Sequence, residues 1–203
     1  MQNCEMNCGN VLILCGKSGS GKDSILKRLV AEYEYAPIVS YTTRPMRDGE
    51  VDGREYNFVT NEDFWEMIKN DELIEYRKYN TLVGGEPATW YYGLRKQDLM
   101  PDESYVVVLD MDGARSFIEY YGEDNCFPCY IEASEDIRKS RARIRGSFDE
   151  TEWDRRVAAD NSDFSKAIVD ASVRAAVRND GELEDCVKEV HARFYLFNEL
   201  FCQ

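Results

Sequence analysis

The sequence predicts a three-layer α/β fold, in which a parallel sheet is flanked by helices on both faces. An apolar run, Val11–Cys15, passes through a glycine-rich turn into a helical pattern that begins at Lys22. Further apolar runs alternate with helical patterns along the chain, as parallel strands joined by helical crossovers require. The length of 203 residues suits one domain with insertions, since domains commonly run to about 100–200 residues.

The individual elements follow from this alternation. Ile25 and Leu29 belong to a set of apolar residues at helical spacing, which predicts a helix from Lys22 to about Tyr33. The other core elements expected, in chain order, are strand 11–15, strand 37–40, strand 105–110, helix 113–121, strand 127–132, helix 134–145, helix 151–164, strand 175–178 and helix 182–200.

The stretch 41–93 breaks this rhythm because it is polar and rich in aromatic residues. Short strands are expected at 56–59 and at 73–76, on either side of a helix at 61–69. We therefore expect an inserted mixed α+β subdomain that binds a substrate.

Composition narrows the class of protein. A net charge of −14 argues against nucleic-acid binding, because a phosphate backbone is held by a surplus of Lys and Arg. The chain is 43% hydrophobic, yet it lacks an apolar stretch near the roughly 20 residues that cross a bilayer. The first ten residues lack a basic start and an apolar segment, so we expect no secretory signal and a cytoplasmic location.

The most specific motif is Gly16-Lys17-Ser18-Gly19-Ser20-Gly21-Lys22-Asp23. It matches the phosphate-binding P-loop at every defined position except the last. Its glycines allow a tight turn that aims backbone N–H groups at a phosphate, and Lys22 adds a positive charge for the outer phosphates. The strand before it and the helix after it place these amides at a helix N-terminus, where an anion is favoured.

Asp23 stands where the pattern has Ser or Thr, the residue whose hydroxyl faces Mg²⁺. A carboxylate is also a good Mg²⁺ ligand, but it places a negative charge beside phosphates. We expect Asp23 to hold Mg²⁺ directly or through water. Ser24 supplies a hydroxyl one position later.

A second segment, residues 40–59, carries paired basic side chains. Arg44 and Arg47 lie three residues apart in a turn bounded by Pro45 and Gly49. Two arginines in such a turn can make charge-assisted hydrogen bonds to one phosphate, and the hydroxyl of Tyr56 can complete the contact.

The P-loop together with Ser-x-Thr-Thr-Arg-x-x-Arg-x-Gly-Glu-x-x-Gly-x-x-Tyr-x-Phe resembles the guanylate kinase family. The resemblance continues through Glu75, Tyr91-Tyr92-Gly93, the stretch 109–112, the stretch 141–156 and Asn179-Asp180, and so spans nearly the whole chain. It implies transfer of the γ-phosphoryl group of ATP to GMP or dGMP, with Mg²⁺. Phosphoryl transfer of this kind depends on positioning and charge neutralisation, for which arginine is well suited.

The resemblance also implies the domain plan and the site residues. It implies one domain, 9–203, with a core at 9–37, 94–140 and 167–203, a nucleoside-monophosphate-binding insert at 38–93 and a helical lid at 141–166. The donor-site residues that it implies are Gly16, Ser18, Gly19, Ser20, Gly21, Lys22, Asp23, Ser24, Asn179, the lid arginines Arg141, Arg145 and Arg156, and Asp110 for Mg²⁺. The acceptor-site residues are Arg44, Arg47, Tyr56 and Tyr92 for the phosphate, and Ser40, Glu75 and Asp112 for guanine.

The sequence departs from the family pattern beside the acceptor site. Leu94 follows Tyr91-Tyr92-Gly93 where the family has a small hydroxyl residue, Lys96 replaces another polar residue, and the segment 80–90 is longer than the family's connection. Two alternatives therefore stay open. One is a kinase for another nucleoside monophosphate, and the other is a guanylate-kinase-like binding module without catalytic activity.

The cysteines form the last group. Seven cysteines without a secretion signal favour reduced thiols over a disulfide framework. Cys4 and Cys8, and Cys126 and Cys129, have spacings that metal ligands use. Four thiolates from neighbouring strands would make a Zn²⁺ site, and the alternative is a set of ordinary buried cysteines.

Overall fold

The computed structural model describes residues 10–83, 86–100, 102–144 and 148–201. The chain divides into two compact units, the first made of the residues up to Pro37 and from Met100 onward, the second spanning Ile38–Leu99. The helices and strands, in chain order, are β1 (Val11–Cys15), α1 (Lys22–Tyr33), β2 (Ala36–Pro37), β3 (Tyr41–Thr42), β4 (Asn57–Phe58), α2 (Asn61–Lys69), β5 (Leu73–Val83), β6 (Glu86–Arg95), β7 (Tyr105–Val108), α3 (Met111–Tyr121), β8 (Cys126–Glu132), α4 (Glu135–Ile144), α5 (Glu150–Asp163), α6 (Lys166–Ser172), β9 (Ala175–Arg178) and α7 (Leu183–Phe201). A 3₁₀ turn, Glu123–Asn125, leads into β8.

The first unit contains the predicted parallel sheet, with strand order β2-β7-β1-β8-β9. Strand β1 lies in the middle, and its Leu12 pairs in parallel register with Val106 of β7 and Phe127 of β8. All five residues of β1 are buried, which explains why its sequence is a continuous apolar run rather than an alternating one.

Helices cover the sheet, and the prediction of an α/β core is confirmed. On one face, Leu12 and Leu14 of β1 join a core cluster with Ile25 and Leu29 of α1 and with α7 residues such as Phe194. Side chains alternate along a strand, so Ile13 points to the other face, where α3 lies against β1 and β8. Among the described residues, none of the helices combines the length and the apolar character that a membrane span needs.

The second unit has its own mixed sheet, with strand order β4-β3-β6-β5. Strands β5 and β6 are antiparallel, and β3 pairs with both β4 and β6. Helix α2 begins and ends where the sequence predicted it, after a capping box in which Thr60 and Asp63 bond each other's backbone N–H. Its buried Phe64 and Met67 pack with Leu73 into a separate small core.

Several element bounds differ from the sequence prediction, and helix α6 (Lys166–Ser172) was not expected. The strand expected at 37–40 covers only Ala36–Pro37, at the edge of the sheet, where the missing N–H of proline costs no ladder hydrogen bond. The strand expected at 105–110 ends at Val108, and α3 begins at Met111 rather than Gly113. The cause is Asp110, whose carboxylate caps α3 by accepting the N–H of Gly113 at 2.7 Å.

The segment 80–90, expected as a long connection, instead extends a hairpin. The β5–β6 ladder runs from Leu73 opposite Arg95 to Val83 opposite Glu86. Residues such as Tyr79, opposite Trp90, are typical of strands because aromatic side chains pack well on a pleated surface. The same strand β6 crosses the expected boundary at residue 93 and continues to Arg95.

Candidate functional site

The glycine loop, residues 16–22, connects the end of β1 to the first residue of α1. Gly19 and Gly21 have φ of +80° and +100°, a region that favours glycine. A Cβ at Gly19 would lie 2.9 Å from the backbone oxygen of Arg138, and one at Gly21 would lie 2.4 Å from Nδ2 of Asn179. The loop is therefore both conformationally special and tightly enclosed by α4 and by the residue that follows β9.

Lys22 lies across the loop. Its Nζ donates to the backbone oxygen of Gly16 at 2.7 Å and to that of Lys17 at 3.4 Å. Asp23 and Ser24 are exposed in the first turn of α1. A carboxylate in the first turn also interacts favourably with the positive end of the helix dipole.

Two residues implied by the resemblance, Arg141 and Asn179, meet at this loop. The buried amide of Asn179 donates through Nδ2 to the backbone oxygen of Ser20 at 2.8 Å. Arg141 donates to the same oxygen at 3.3 Å and to the backbone oxygen of Asn179 at 2.9 Å. One arginine of α4 and one amide after β9 are thus fixed to the loop beside Gly21.

The other two predicted lid arginines are Arg145 and Arg156. Arg145 lies outside the described residues. Arg156 is exposed on α5 and pairs along its own helix with Glu152 at 2.8 Å. Arg155 hydrogen-bonds the same carboxylate and, with Arg156, lowers the pKa of Glu152 to about 2.

The structure adds two loop contacts that the sequence reasoning missed. Asp160 of α5 accepts the backbone N–H of Ser18 at 2.8 Å and its hydroxyl at 3.2 Å. Arg138 of α4 donates to the backbone oxygen of Ser18 at 3.0 Å and lies 3.4 Å from Asp160. Arg138 lies three positions before Arg141, but nothing in the sequence signals that it is buried or paired with Asp160.

Several carboxylates lie near one another in the first unit. Burial, together with the negative charges of Asp110, Asp112 and Asp160, raises the pKa of the Asp163 carboxyl. Asp112 is exposed and pairs with Arg115 at 3.2 Å. Within residues 10–83, 86–100, 102–144 and 148–201, no group of three or more acidic, His or Cys side chains has the arrangement of a metal site.

The cysteine pair of β8 does not support a shared zinc site. Cys126 and Cys129 are three residues apart in one strand, so their side chains leave opposite faces of the sheet. Burial raises the pKa of both thiols to about 12. Cys4 and Cys8 lie outside the described residues.

In the second unit, Arg44 is the best-fixed basic residue. It is only 3% exposed; it bonds Oε1 of Glu50 at 2.8 Å and the backbone oxygen of Pro45 at 2.7 Å. Its guanidinium carbon lies 5.4 Å from the ring centre of Tyr56, within reach of a cation–π interaction. Arg47 contributes its backbone N–H to the same Glu50 carboxylate at 2.7 Å.

Burial acts to raise the pKa of Glu50, but the hydrogen bonds from Arg44 and from the Arg47 amide outweigh it and lower that pKa. The carboxylate is therefore ionised at neutral pH and holds the turn that presents both arginines. Glu50 supports the two arginines. It stands in the sequence motif at 40–59 but is not among the site residues predicted from the sequence.

Tyrosine rings surround Arg44. Tyr92 hydrogen-bonds Arg44, and its ring lies edge-on to Tyr56 at 5.6 Å and to Tyr79 at 5.3 Å between centres. Tyr79 lies in β5, immediately before the segment 80–90. Three of the four predicted phosphate residues therefore form one cluster of side chains, and Arg47 joins it through its backbone.

Glu75 reaches this face of the sheet because β5 contains a bulge. The register shifts between Leu73 and Glu75, so Leu73 packs in the small core with α2 while Glu75 pairs with Arg77 at 3.5 Å. Arg77 lies opposite Tyr92 in the ladder. A bulge is a common means of re-aiming a side chain.

Four further positions were singled out from the sequence beside the acceptor site: Ser40, Asp112, Leu94 and Lys96. Ser40 precedes β3, and its backbone oxygen accepts the N–H of Asn57 at 2.9 Å. Leu94 lies opposite Glu75 and is fully buried, so it contributes to packing. Lys96 bonds Asp71 at 2.7 Å. Asp112 belongs to the first unit and not to the second.

The parallel sheet, its flanking helices and the glycine loop between its central strand and α1 define a three-layer α/β protein. A family model described as guanylate kinase matches residues 8–194, and the chain belongs to that family. It is 34% identical over 187 residues to guanylate kinase 2, chloroplastic/mitochondrial, of Oryza sativa subsp. japonica. That match covers 90% of this chain and 62% of the rice protein, so the chain spans less than two thirds of that relative.

Other known proteins agree. The chain is 36% identical over 153 residues to a guanylate kinase of Nitratidesulfovibrio vulgaris, a match that covers 74% of this chain and 70% of that protein. Among solved structures, a guanylate kinase from Anaplasma phagocytophilum superposes with a TM-score of 0.67 at 22% identity, covering 97% of this chain and 89% of the other. A gluconokinase from Sinorhizobium meliloti gives 0.53 at 16% identity, covering 95% of each chain. These two structural matches concern the fold alone.

Proposed function

We propose that this protein transfers the γ-phosphoryl group of ATP to GMP, or to dGMP, giving ADP and the nucleoside diphosphate. The observation that supports the proposal is that one chain contains two sets of basic side chains and backbone amides of the kind that binds phosphate. The first unit has the glycine loop with Lys22 and Arg141, and the second has the cluster around Arg44. A kinase of this class needs one set for its donor and one for its acceptor.

On the donor side, we assign the triphosphate of ATP to the glycine loop. Its amides lie at the N-terminus of α1, where unpaired N–H groups attract an anion. Nζ of Lys22 donates hydrogen bonds to two backbone oxygens of the loop. When ATP binds, the ammonium group can exchange these oxygens for phosphate oxygens. Arg141, fixed beside Ser20, supplies a second positive charge to offset charge that develops during transfer.

The residues assigned to the ATP side include carboxylates, which suit a magnesium ion. Mg²⁺ in kinases is held by one or two carboxylates together with phosphate oxygens and water. Asp23 is exposed in the first turn of α1, and Asp110 and Lys22 both act electrostatically on Cys15 at the end of β1. Asp23 and Asp110 would hold the ion, which when bound neutralises phosphate charge.

On the acceptor side, Arg44, Arg47, Tyr56 and Tyr92 would bind the phosphate of GMP. Arg44 is pre-oriented by Glu50 and by two aromatic rings, so little side-chain freedom is lost on binding. Glu75 would accept hydrogen bonds from the N1–H and the amino group of guanine, a pattern that adenine lacks. Ser40, in the same unit as Glu75, belongs to the proposed guanine set.

We infer that the protein works in a reducing compartment such as the cytoplasm. Among the described residues, Cys15, Cys126, Cys129 and Cys186 are free and buried thiols. Reduced thiols are the usual state of cysteine in that compartment.

The test is a coupled assay of ADP release with ATP, Mg²⁺ and a panel of acceptors: GMP, dGMP, AMP, CMP, UMP and dTMP. Turnover with GMP is expected to exceed turnover with the pyrimidine nucleotides and AMP. Turnover on another base would refute the guanine assignment only. A folded protein without turnover on any acceptor would refute the kinase proposal.

A further inference from the structure

Ser18 of the glycine loop is held on both sides by an ion pair. Asp160 accepts the Ser18 backbone N–H and hydroxyl, while Arg138 donates to the Ser18 backbone oxygen. The two charged side chains lie 3.4 Å apart. They come from α4 and α5, the helices on either side of residues 145–149.

Both side chains are nearly inaccessible, with residue exposures of 2% for Arg138 and 9% for Asp160. The guanidinium of Arg138 also lies 5.6 Å from the ring centre of Trp153, which is itself buried. A buried ion pair rarely improves stability over apolar side chains of the same volume, because both charges must leave water. The reason for the Arg138–Asp160 pair therefore lies in the segment of the chain that it holds in place.

What the pair holds is the first half of the glycine loop, around Ser18. The backbone of Arg138 closes directly on Gly19, where a Cβ would have no room. Lys17, on the other side of Ser18, bonds Asn161 of α5 at 2.6 Å. Three consecutive loop residues are thus seated against α4 and α5.

The charges of the pair are as important as its hydrogen bonds. A lone carboxylate bonded to a loop amide would repel a polyphosphate, and a low-dielectric site strengthens that repulsion. Arg138 cancels the charge of Asp160 while leaving its hydrogen bonds to Ser18 intact. The loop is oriented by charged groups without gaining a net charge.

We propose that Arg138 and Asp160 are positioning residues for ATP binding: they form a charge-neutral clamp on Ser18 that keeps the glycine loop in its phosphate-binding shape. The inference rests on the proposed function in one respect, because it takes ATP as the ligand of the loop. It predicts that the two single substitutions are unequal and that the double substitution is milder than the worse of the two.

The experiment compares Arg138→Met, Asp160→Asn and the double variant with the wild type. Arg138→Met leaves the Asp160 carboxylate uncompensated beside the phosphates, and we expect the KM for ATP to rise about tenfold or more. Asp160→Asn keeps an oxygen that accepts the Ser18 N–H, and we expect a smaller rise. The double variant should recover most of the ATP affinity lost in Arg138→Met, with the KM for GMP unchanged throughout.

Two further variants serve as controls. Arg138→Lys keeps the positive charge but loses the planar fork, so it should lie between wild type and Arg138→Met, and it is available if Arg138→Met does not fold. Arg155→Met breaks an exposed pair with Glu152 on the same helix α5 and should leave both KM values unchanged. The melting temperature of every variant is measured with and without ATP.

The outcomes are distinguishable. If Arg138→Met or Arg138→Lys lowers the melting temperature but leaves the KM for ATP unchanged, the pair is only structural and the clamp is refuted. If the double variant is no better than Arg138→Met, the charge argument is wrong. If ATP stabilises the wild type but no acceptor turns over, the proposed kinase function fails while the ATP-dependent melting temperatures still decide on the clamp.

Discussion

Replacement of Gly21 by alanine should damage the glycine loop by two separable effects. Gly21 has a φ of +100°, a region that costs an L-residue about 1–2 kcal/mol. The new Cβ would also lie 2.4 Å from Nδ2 of Asn179, which donates to the backbone oxygen of Ser20 at 2.8 Å. Displacing that amide leaves buried polar groups unsatisfied, at about 1–3 kcal/mol.

The two contributions add to about 2–5 kcal/mol of lost stability. The matched control is Gly53→Ala, since Gly53 has a φ of +78° but has nothing within 4 Å of an added Cβ. It carries the backbone strain without the collision. The difference between the two variants should therefore be about 1–3 kcal/mol, which for a chain of this size shifts the melting temperature by roughly 2–12 °C.

The assay is thermal unfolding by circular dichroism, followed by kinetics with ATP varied at saturating GMP. Gly21→Ala should melt below Gly53→Ala and should have a KM for ATP raised about tenfold or more, because the loop amides no longer converge. Equal melting temperatures for the two variants, or an unchanged KM for ATP in Gly21→Ala, would refute the packing argument.

Three further predictions follow from the second unit. The pKa of Glu50 is lowered in the folded state. The stabilising effect of its carboxylate is therefore complete above the ordinary pKa of 4.5 and is lost as the pH falls through the lowered value. Glu50→Gln should therefore make the melting temperature less dependent on pH in the acid range. Tyr79→Ala should raise the KM for GMP about 2- to 10-fold by releasing the Tyr92 ring, with the KM for ATP unchanged. Lys96→Ala should leave the KM for GMP unchanged and cost less than about 1 kcal/mol of stability, because Lys96 pairs with the exposed Asp71.

Each of these has its own control. Asn80→Ala alters the neighbouring residue of the hairpin, which points to the other face, and it should not affect the KM for GMP; an effect as large as that of Tyr79→Ala would mean that the hairpin as a whole is responsible. A Glu50→Gln protein with the same acid limb as the wild type would contradict the role of the Arg44–Glu50 pair. A raised KM for GMP in Lys96→Ala would place Lys96 at the acceptor.

Much of the fold could be predicted from local sequence. The strand 11–15, the helix 61–69 and the strand 175–178 were predicted at their observed bounds, because their apolar spacing and capping residues act over a few positions. The errors came where tertiary context decides. From the sequence, Asp110 was expected to end a strand. Its hydrogen bond from the N–H of Gly113 shows that it caps a helix instead.

The candidate sites were predictable in part, for the same reason. The three loop glycines and Lys22 form a continuous motif, and Arg44 and Tyr56 lie only twelve positions apart in one segment. Glu75 could be nominated by resemblance, but its orientation depends on a bulge in β5. The sequence pattern of that strand contains no signal for the register shift.

By itself, then, the sequence determined the α/β class, the glycine loop and its place between a buried strand and a helix, because turn chemistry and periodicity are local properties. Only the tertiary structure decided what encloses that loop. Asp160 and Arg138 lie 142 and 120 positions from Ser18 along the chain. Their meeting depends on the order of strands in the sheet, and the pairing energy of two buried charges arises only once that order has brought them together.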